Sequence, residues 1–370
     1  MSQKNAYLRF IDHMKGWILG LPDSDDLVEI LELSLSPEEA EFLADLPFLP
    51  HSIEQLAAKF NMGANELSPK LDLLAGRGLV FRHESKNTVR YALNDSMLAF
   101  FRAPFWAGKR DEKTRKLAIS SNRYFYGPYG REFGSHPTMG LRAIPIDRTI
   151  KDARQIWPYE DVLQVVEKED YFVNSHCNCR MRHNLDPDSS SCSHETFNCL
   201  HFGRLARYMV KHGMGKEISR EEVLETLQAA ADAGLVHGIS NTKAGMDSIC
   251  NCCSCCCLLM ESFHVNKLRG HQPSNYVIEI SSQTCKGCGL CVERCPMSAL
   301  QLQDSPEAKN KLGKISVLDS EQCIGCGVCA HKCPTQSLSL VPREHEQNIP
   351  ENFRDMAQRM ARERRRDCGV

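Results

Sequence analysis

Cysteine is absent from the first 176 residues of this 370-residue chain, although the whole chain contains 19 cysteines. Long apolar runs are absent as well: no stretch approaches the roughly 18 uninterrupted apolar residues that span a bilayer. The opening segment mixes Lys4, Arg9, Asp12 and Lys15 into its apolar residues, so we predict no secretory signal peptide. We therefore expect a cytoplasmic, reducing location, where clustered cysteines usually bind metals or act as redox centres.

An excess of charge of either sign is missing too, because 45 Lys and Arg residues are balanced by 47 Asp and Glu residues. A net charge of −2 favours neither nucleic acid nor an acidic ligand as a general partner. The sequence also lacks a C-x3-C-x2-C run, a C-x2-C-H haem motif and a G-x4-G-K-[ST] phosphate loop. Gly213-Met214-Gly215 lacks the third glycine of a dinucleotide site. With no recognisable place for substrate chemistry, a self-contained enzyme is not predicted.

The cysteines that are present fall into two groups. Ten lie between Cys177 and Cys257, eight lie between Cys285 and Cys333, and Cys368 stands alone near the C-terminus. A chain of this length usually folds around more than one hydrophobic core, so we predict an α+β multidomain protein. Its expected segments are a helix-and-hairpin domain at 26–105, a connector at 106–134, a mostly helical cysteine-rich region at 135–270, a domain with paired cysteine runs at 271–345, and a basic helical tail at 346–370.

The first segment has start and stop signals for helices followed by a hairpin. Ser36 and Ser52 are expected N-caps, and helix three carries leucines at positions 67, 71 and 74. Leu79-Val80-Phe81 and 88–93 then read as two strands around a polar tip. This order resembles the winged-helix domains of bacterial regulators, including the Gly-Leu-Val entry into the wing at Gly78. The resemblance implies a module that binds DNA or docks on a protein.

Two nearly identical cysteine runs dominate the C-terminal quarter. Each run is C-x2-C-x2-C-x3-C followed by proline, and the second begins 38 residues after the first, at Cys323. Three thiolates from one tight loop can bind three irons of a cube, and such runs pass their fourth cysteine to the other cluster. We expect the glycines at 287, 289, 325 and 327 to let the backbone wrap closely, because a glycine has no Cβ. Strand-like segments at 276–280 and 314–318 precede the runs.

The runs resemble those of bacterial two-cluster ferredoxins, which hold two [4Fe–4S] clusters. By this resemblance, the first cluster is expected to use Cys285, Cys288, Cys291 and Cys333. The second is expected to use Cys295, Cys323, Cys326 and Cys329. Paired C-x2-C elements also suit zinc, but zinc has no use for a third evenly spaced cysteine or for the trailing proline.

The central cysteines form a second candidate set of metal ligands. They are Cys177, Cys179, Cys192, Cys199, Cys250, Cys252, Cys253, Cys255, Cys256 and Cys257. Soft thiolates select iron–sulfur clusters, zinc or copper(I). We expect one or two further metal centres here and favour [4Fe–4S] over zinc, with His176, His194 and His201 as additional candidate ligands if zinc is bound.

Residues 135–345 also resemble a type of cysteine-rich ferredoxin fusion found in anaerobic bacteria. The shared elements are Pro158-Tyr159-Glu160, Cys177-x-Cys179-Arg180 and the run 252–257. The resemblance implies an anaerobic redox setting and names no substrate.

These features favour an electron carrier, or a relay subunit of an anaerobic redox complex, that exchanges single electrons with a donor and an acceptor protein. The alternative is a redox-sensing regulator whose winged helix binds DNA. Its expected recognition helix carries Lys70 against Glu66 and Asp72, which does not favour contact with phosphates. The tail from Arg354 to Arg366 is expected to be a solvated basic helix, or a docking face for an acidic redox partner.

Overall fold

The computed structural model describes residues 3–17, 19–85, 88–134, 136–152, 154, 156–190 and 192–367, so Cys368 lies outside the described residues. The chain forms two compact units. Unit one comprises Met1–His136, Val173–Glu217 and Met360–Val370, and unit two comprises Pro137–Phe172 and Ile218–Arg359. Helices and strands are both abundant in the structure. No helix among the described residues has the length and apolar character needed to cross a membrane.

The first part of unit one contains the helices and the hairpin expected from the sequence. Its elements are α1 (Gln3–Lys15), α2 (Asp25–Ser34), α3 (Pro37–Leu43), β1 (His51–Ser52), α4 (Ile53–Phe60), α5 (Ala64–Ala75), β2 (Val80–Ser85) and β3 (Thr88–Leu93). Ser36 and Ser52 each form a capping box, with Glu39 and Gln55 respectively, as their spacing predicts. Strand β3 lies between β1 and β2 and pairs antiparallel with both. The winged-helix interpretation itself stays a prediction.

The segment 106–134 differs from the expected connector. It follows a π-helical turn at 97–102 and contains the end of α6 (Ala103–Trp106), α7 (Glu112–Tyr124), a second π-helical stretch at 125–129 and α8 (Gly130–Gly134). Tyr124 and Tyr129 are fully buried, and their hydroxyls bind the Pro22 carbonyl and the Ser96 hydroxyl, both at 2.8 Å. A buried tyrosine needs such a partner. These aromatic residues of the predicted connector therefore form part of the core of unit one.

The region from 137 to 272 contains strands as well as helices. Its elements are β4 (Leu141–Ala143), a 3₁₀ turn at 147–149, α9 (Val162–Glu167), β5 (Phe172–His176), α10 (Asn178–Leu185), β6 (Phe197–Phe202), α11 (Gly203–Lys211), β7 (Lys216–Ile218), α12 (Arg220–Asp232), β8 (Val236–Ser240), β9 (Ser248–Cys252), α13 (Leu258–Asn266) and β10 (His271–Gln272). The sequence predicted a mostly helical middle and did not predict these strands, although the helices hold more residues than the strands do. The strands are short and largely buried, so they do not show the exposed–buried alternation that marks a strand in a sequence.

Four of these strands belong to unit two and lie side by side. Strand β4 pairs parallel with β10 and antiparallel with β8, which in turn pairs antiparallel with β9. Helix α12 begins at a capping box between Ser219 and Glu222 and is followed by β8. The register brings Gly238 of β8 opposite Cys250 of β9, so the cysteines of β9 lie beside a residue without a side chain.

The C-terminal part of unit two repeats a strand–helix–strand pattern. Its elements are β11 (Tyr276–Ile280), α14 (Leu290–Arg294), β12 (Leu300–Asp304), β13 (Lys314–Leu318), α15 (Val328–His331) and β14 (Leu338–Pro342). Strand β11 pairs antiparallel with β14, and β12 pairs antiparallel with β13. The two outer strands thus pair with each other and the two inner strands pair with each other, which brings the two cysteine runs together. Helix α16 (Phe353–Asp367) lies within the segment 346–370, which was predicted to be a basic helical tail.

Candidate metal centres

Each cysteine run of the C-terminal part forms a tight loop that leads into a short helix. Gly289 and Gly327, both with φ near +77°, precede α14 and α15 directly. The third cysteine of each run, Cys291 or Cys329, lies inside that helix, and the fourth follows shortly after it. The two cysteine runs therefore have the same local backbone structure.

The first cavity in this region lies between the two cysteine runs. Its lining includes Cys285, Cys288 and Cys291 from the first run and Cys333 from the second. Cys285 and Cys291 are buried, whereas Cys288 is exposed. The set expected for the first cluster therefore lines one cavity, with one edge open to solvent.

The second cavity is lined by the other four cysteines. Cys323, Cys326 and Cys329 come from the second run and are buried, and Cys295 comes from the first run. Each cavity thus receives its fourth thiol from the opposite run. Ligation of a cluster by these two sets stays a prediction.

Glycines allow the loops to approach neighbouring backbone. A Cβ on Gly325, at φ +69°, would lie 2.2 Å from the Tyr276 carbonyl oxygen, and one on Gly287 would lie 2.7 Å from the Lys314 carbonyl oxygen. Contacts shorter than 3.0 Å are essentially never made by a Cβ. The sequence suggested that glycine is needed where the loop backbone lies close to a cluster. In the structure, Gly325 and Gly287 are needed because the loops lie close to the strands β11 and β13.

Burial disfavours the thiolate form of most of these cysteines. It raises the pKa of Cys326 to about 12 and also raises the pKa of Cys291, Cys295 and Cys329. At Cys333 burial acts in the same direction, but N–H donors of the following turn outweigh it and lower the pKa. Buried thiolates without a counter-charge are costly, so these cavities suit a positively charged inorganic group.

Backbone N–H groups point at several of the sulfur atoms. Ser337 N–H donates to Cys333 Sγ at 3.3 Å, and Ala299 N–H donates to Cys295 Sγ at 3.3 Å. Gly287 N–H donates to Cys285 Sγ at 3.5 Å. Hydrogen bonds of this kind stabilise thiolate ligands and tune the potential of an iron–sulfur cluster. The donor set and these N–H groups fit a [4Fe–4S] cluster in each cavity.

Among the central cysteines, one group is built on strand β9 and the start of α13. Cys252 and Cys257 lie with His271 of β10 so that their donor atoms are all within 4.8 Å of one another, and all three residues are buried. Cys250 hydrogen-bonds Cys252 and lies two residues before it on the same face of β9. Burial lowers the pKa of His271 to about 4, so the imidazole is neutral at physiological pH.

A second group occupies the turn that follows β9. The sulfur atoms of Cys253, Cys255 and Cys256 lie within 4.8 Å of one another, with 3.5 Å between those of Cys255 and Cys256. Hydrogen bonds with Cys253 and Cys255 raise the pKa of Cys256, and burial adds to the rise. Three thiols in such a small volume are a candidate partial ligand set.

The remaining predicted cysteines belong to unit one. Cys177 precedes α10 and hydrogen-bonds Cys179, which raises the pKa of Cys177. Cys192 lies in the loop before β6, and Cys199 is buried within β6. Next to Cys179, Arg180 is fully buried and donates to the Glu195 carbonyl at 2.8 Å, so this part of the motif holds the loop against α10.

The histidines expected as additional zinc ligands behave differently. His176 hydrogen-bonds the Thr196 hydroxyl, and His201 hydrogen-bonds the Ser175 hydroxyl, both at 3.0 Å. His194 is partly exposed in the loop before β6. None of the three belongs to a ligand group formed by the described residues. The histidine that does, His271, was not predicted, because it lies 14 residues after Cys257 with no recognisable spacing.

Comparison with known proteins supports the C-terminal assignment. Residues 284–337 match the family model of the 4Fe-4S dicluster domain. No curated protein and no solved structure matches the chain. The chain therefore carries a C-terminal ferredoxin-like iron–sulfur domain, which indicates 4Fe–4S binding and a role in electron transfer with redox partners.

Proposed function

We propose that this chain passes single electrons between partner proteins through two [4Fe–4S] clusters, as a carrier or as a relay subunit of an anaerobic redox complex. The observation that carries the proposal is the pair of cavities, each lined by four cysteines, inside the segment that matches a 4Fe-4S dicluster domain. Four thiolates are the usual ligands of such a cluster.

In this proposal the first cluster is bound by Cys285, Cys288, Cys291 and Cys333, and the second by Cys295, Cys323, Cys326 and Cys329. Bound clusters supply one-electron redox chemistry at potentials set by burial and by hydrogen bonds to sulfur. The chain's own residues exclude water with Leu302, Leu318 and Met297, which line the cavities, and direct backbone N–H groups at the thiolates.

Electrons are expected to enter or leave at the first cluster. Cys288 is the exposed member of the eight, and the neighbouring Lys286 is exposed as well. Lys314, also exposed, begins β13, and its carbonyl accepts a hydrogen bond from Asn310, whose amide also binds the Cys285 carbonyl at 2.9 Å. A positive rim at the opening favours a redox partner with an acidic surface.

Each cavity is lined by one cysteine from the opposite run, so single cysteine substitutions can test the proposed ligand sets. Cys295→Ser and Cys326→Ser are on different runs, yet they are expected to impair the same cluster, because both residues line the second cavity. Cys333→Ser and Cys288→Ser are expected to impair the other cluster. The measurement is electron paramagnetic resonance of the reduced full-length protein, purified without oxygen, together with iron per chain and a potentiometric titration.

If Cys295→Ser instead impaired the same cluster as Cys288→Ser, each cluster would take all its ligands from one run. That result would contradict the proposed ligand sets. Wild-type protein that binds about eight irons but shows no reversible reduction would contradict electron transfer itself. Because each variant replaces sulfur by oxygen in a side chain of the same shape, the four variants serve as matched controls for one another.

A second proposal concerns unit one. The order of helices and the sheet β1-β3-β2 support a winged helix, and the exposed residues of α5 favour protein docking over DNA binding. They include Glu66, Pro69 and Leu73, the last with 63% of its surface exposed. Lys70 lies over the Phe42 ring instead, 4.1 Å from its centre.

DNA binding by the reduced and the oxidised protein can be tested by gel retardation of mixed duplexes at low salt. No retardation in either redox state is expected, because a helix facing phosphates needs a surplus of cations. Retardation that depends on cluster oxidation would instead support the regulator alternative.

A further inference from the structure

A buried histidine in unit two has a ring nitrogen without a hydrogen bond to any residue that the structure describes. His271 is 3% exposed on the short strand β10, and its Nε2 makes no hydrogen bond among the described residues. An unpaired polar atom in the interior is costly, and native structures rarely keep one without a protein group, a water or an ion as its partner. Sulfur atoms of Cys252 and Cys257 lie within 4.8 Å of a ring nitrogen of His271.

We propose that Cys250, Cys252, Cys257 and His271 bind a single zinc ion. The four residues come from β9, the first residue before α13, and β10, so the ion would connect three neighbouring elements of unit two. Three cysteines and one histidine form a closed tetrahedral set of the kind found in structural zinc sites.

The neighbouring strand leaves room for the ion. Gly238 of β8 lies opposite Cys250, and a Cβ placed on it would be 3.5 Å from His271 Nε2 and 3.8 Å from Cys252 Sγ. Any side chain at 238 would therefore fill space next to the donor atoms. Gly238 has an ordinary negative φ, so backbone conformation does not account for this glycine.

The spacing of the donors distinguishes one ion from a cluster. Zn–S and Zn–N bonds of about 2.3 and 2.0 Å place the donors of a tetrahedral site roughly 3.5–3.8 Å apart. A cubane cluster binds each thiolate at a different iron, so its four ligand sulfurs lie at separate corners and farther apart. Three donors within 4.8 Å of one another favour the single ion. This geometry therefore does not favour the [4Fe–4S] centre expected for these cysteines.

Binding the ion requires three thiols to lose their protons to solvent, while the neutral imidazole binds through Nε2. The ion would offset the cost of burying the thiolates and would satisfy the unpaired nitrogen. With four protein ligands it has no open position, so its role is structural and not redox.

The test uses the full chain, purified without oxygen, and elemental analysis of zinc and iron. His271→Ala is expected to lower zinc by about one ion per chain and to leave iron unchanged. The matched control is His237→Ala: His237 is also a buried histidine of this sheet, 4% exposed, but it hydrogen-bonds Asn251 at 2.7 Å. This control is expected to retain its zinc.

Because His271→Ala could prevent folding, His271→Cys provides a second variant that can still bind the ion. It is expected to retain zinc, and zinc-edge X-ray absorption should show one nitrogen at about 2.0 Å replaced by sulfur at about 2.3 Å. Unchanged zinc in His271→Ala, or an unchanged absorption spectrum in His271→Cys, would overturn the proposal. A loss of several irons from His271→Ala with zinc unaffected would overturn it as well.

Discussion

Individual glycines set how closely the cysteine loops approach the strands of the ferredoxin-like domain. Gly325 combines a left-handed φ of +69° with two short approaches, to the Tyr276 carbonyl oxygen and the Ser274 hydroxyl, each 2.2 Å from a built Cβ. Gly313 has a similar φ of +62° but nothing within 4 Å of its Cβ. Alanine substitutions at Gly325 and Gly313, compared with each other, therefore separate the cost of backbone strain from the cost of a steric clash.

Gly325→Ala is expected to move the second cysteine loop away from β11 and to reduce iron by about four per chain. Gly313→Ala, the control, carries only the strain of a left-handed alanine, about 1 kcal/mol, and should keep its iron. Iron and sulfide analysis of both purified variants checks the expectation. Equal iron in the two variants would show that the loop tolerates the added methyl group.

Asp147 is a second residue whose surroundings predict a measurable effect. Burial raises the pKa of this carboxyl to about 7, and the nearby Asp161 adds to the rise. Its Oδ1 has no hydrogen-bond partner among the described residues. The Asp147 carboxyl therefore binds a proton more tightly in the folded state than in the unfolded state. This difference stabilises the folded state fully below about pH 4, and the stabilisation is lost as the pH rises through about 7.

Asp147→Asn is expected to raise the melting temperature at pH 8, where the wild-type carboxyl is ionised, and to change it little at pH 5. The gain is on the order of 3 kcal/mol at most, since the side chain is partly solvated. Asp152→Asn is the control, because Asp152 pairs with Arg154 at the surface. A similar gain at both pH values would show that ionisation of Asp147 is not the cause.

Single residues also show where sequence analysis was sufficient. The eight cysteines of the two runs could be predicted, because a cluster loop fixes both ligand spacing and the trailing proline. His271 could not, because its approach to Cys252 and Cys257 depends on the pairing of β10 with β4, which no local pattern of residues 257–271 specifies.

At the scale of elements, strands next to the cysteine runs were predicted, whereas strands of the region 137–272 were not. The expected strands at 276–280 and 314–318 coincide with β11 and β13. Strands β5 and β8 were missed, since four consecutive residues of each are buried and include polar residues such as Asn174 and His237. Buried polar residues obscure a pattern that relies on hydrophobicity.

One buried ion pair connects elements of unit two. Arg142 of β4 and Glu160 are both fully buried, with 2.9 Å between Arg142 Nη1 and Glu160 Oε1. The carboxylate also accepts the Asn275 N–H at 3.1 Å, just before β11. Glu160 belongs to the Pro158-Tyr159-Glu160 element singled out in the sequence, so that element has a structural role here.

Glu160→Ala is expected to lower the free energy of unfolding by about 3–5 kcal/mol, because it leaves Arg142 buried without a counter-charge. The control is Glu279→Ala, which removes the partner of Lys151 in an exposed ion pair and should cost below about 1 kcal/mol. Thermal or denaturant unfolding of both variants measures the difference. Equal losses would show that the buried pair contributes no more than a surface one.

On the scale of the whole molecule, the two units differ in what their cores are made of. The part of unit one between α2 and β3 has an apolar core, with Leu27, Ile30, Leu56 and Leu71 each at most 1% exposed, and it contains no cysteine. The ferredoxin-like part of unit two has strands of five residues around two cysteine-lined cavities. Bound metal is thus expected to stabilise the ferredoxin-like part of unit two and not the part of unit one between α2 and β3.

Removal of iron and zinc by a chelator should therefore abolish hydrogen-exchange protection of backbone amides at 276–342, while amides at 25–93 keep theirs. Without metal, the buried cysteines are protonated thiols around two unfilled cavities, and the short strands bury too little apolar surface to compensate. Hydrogen exchange followed by mass spectrometry on the metal-free and metal-loaded full chain measures both segments in one sample. The segment at 25–93 is the internal control, and loss of protection there to the same extent would contradict a core that is independent of metal.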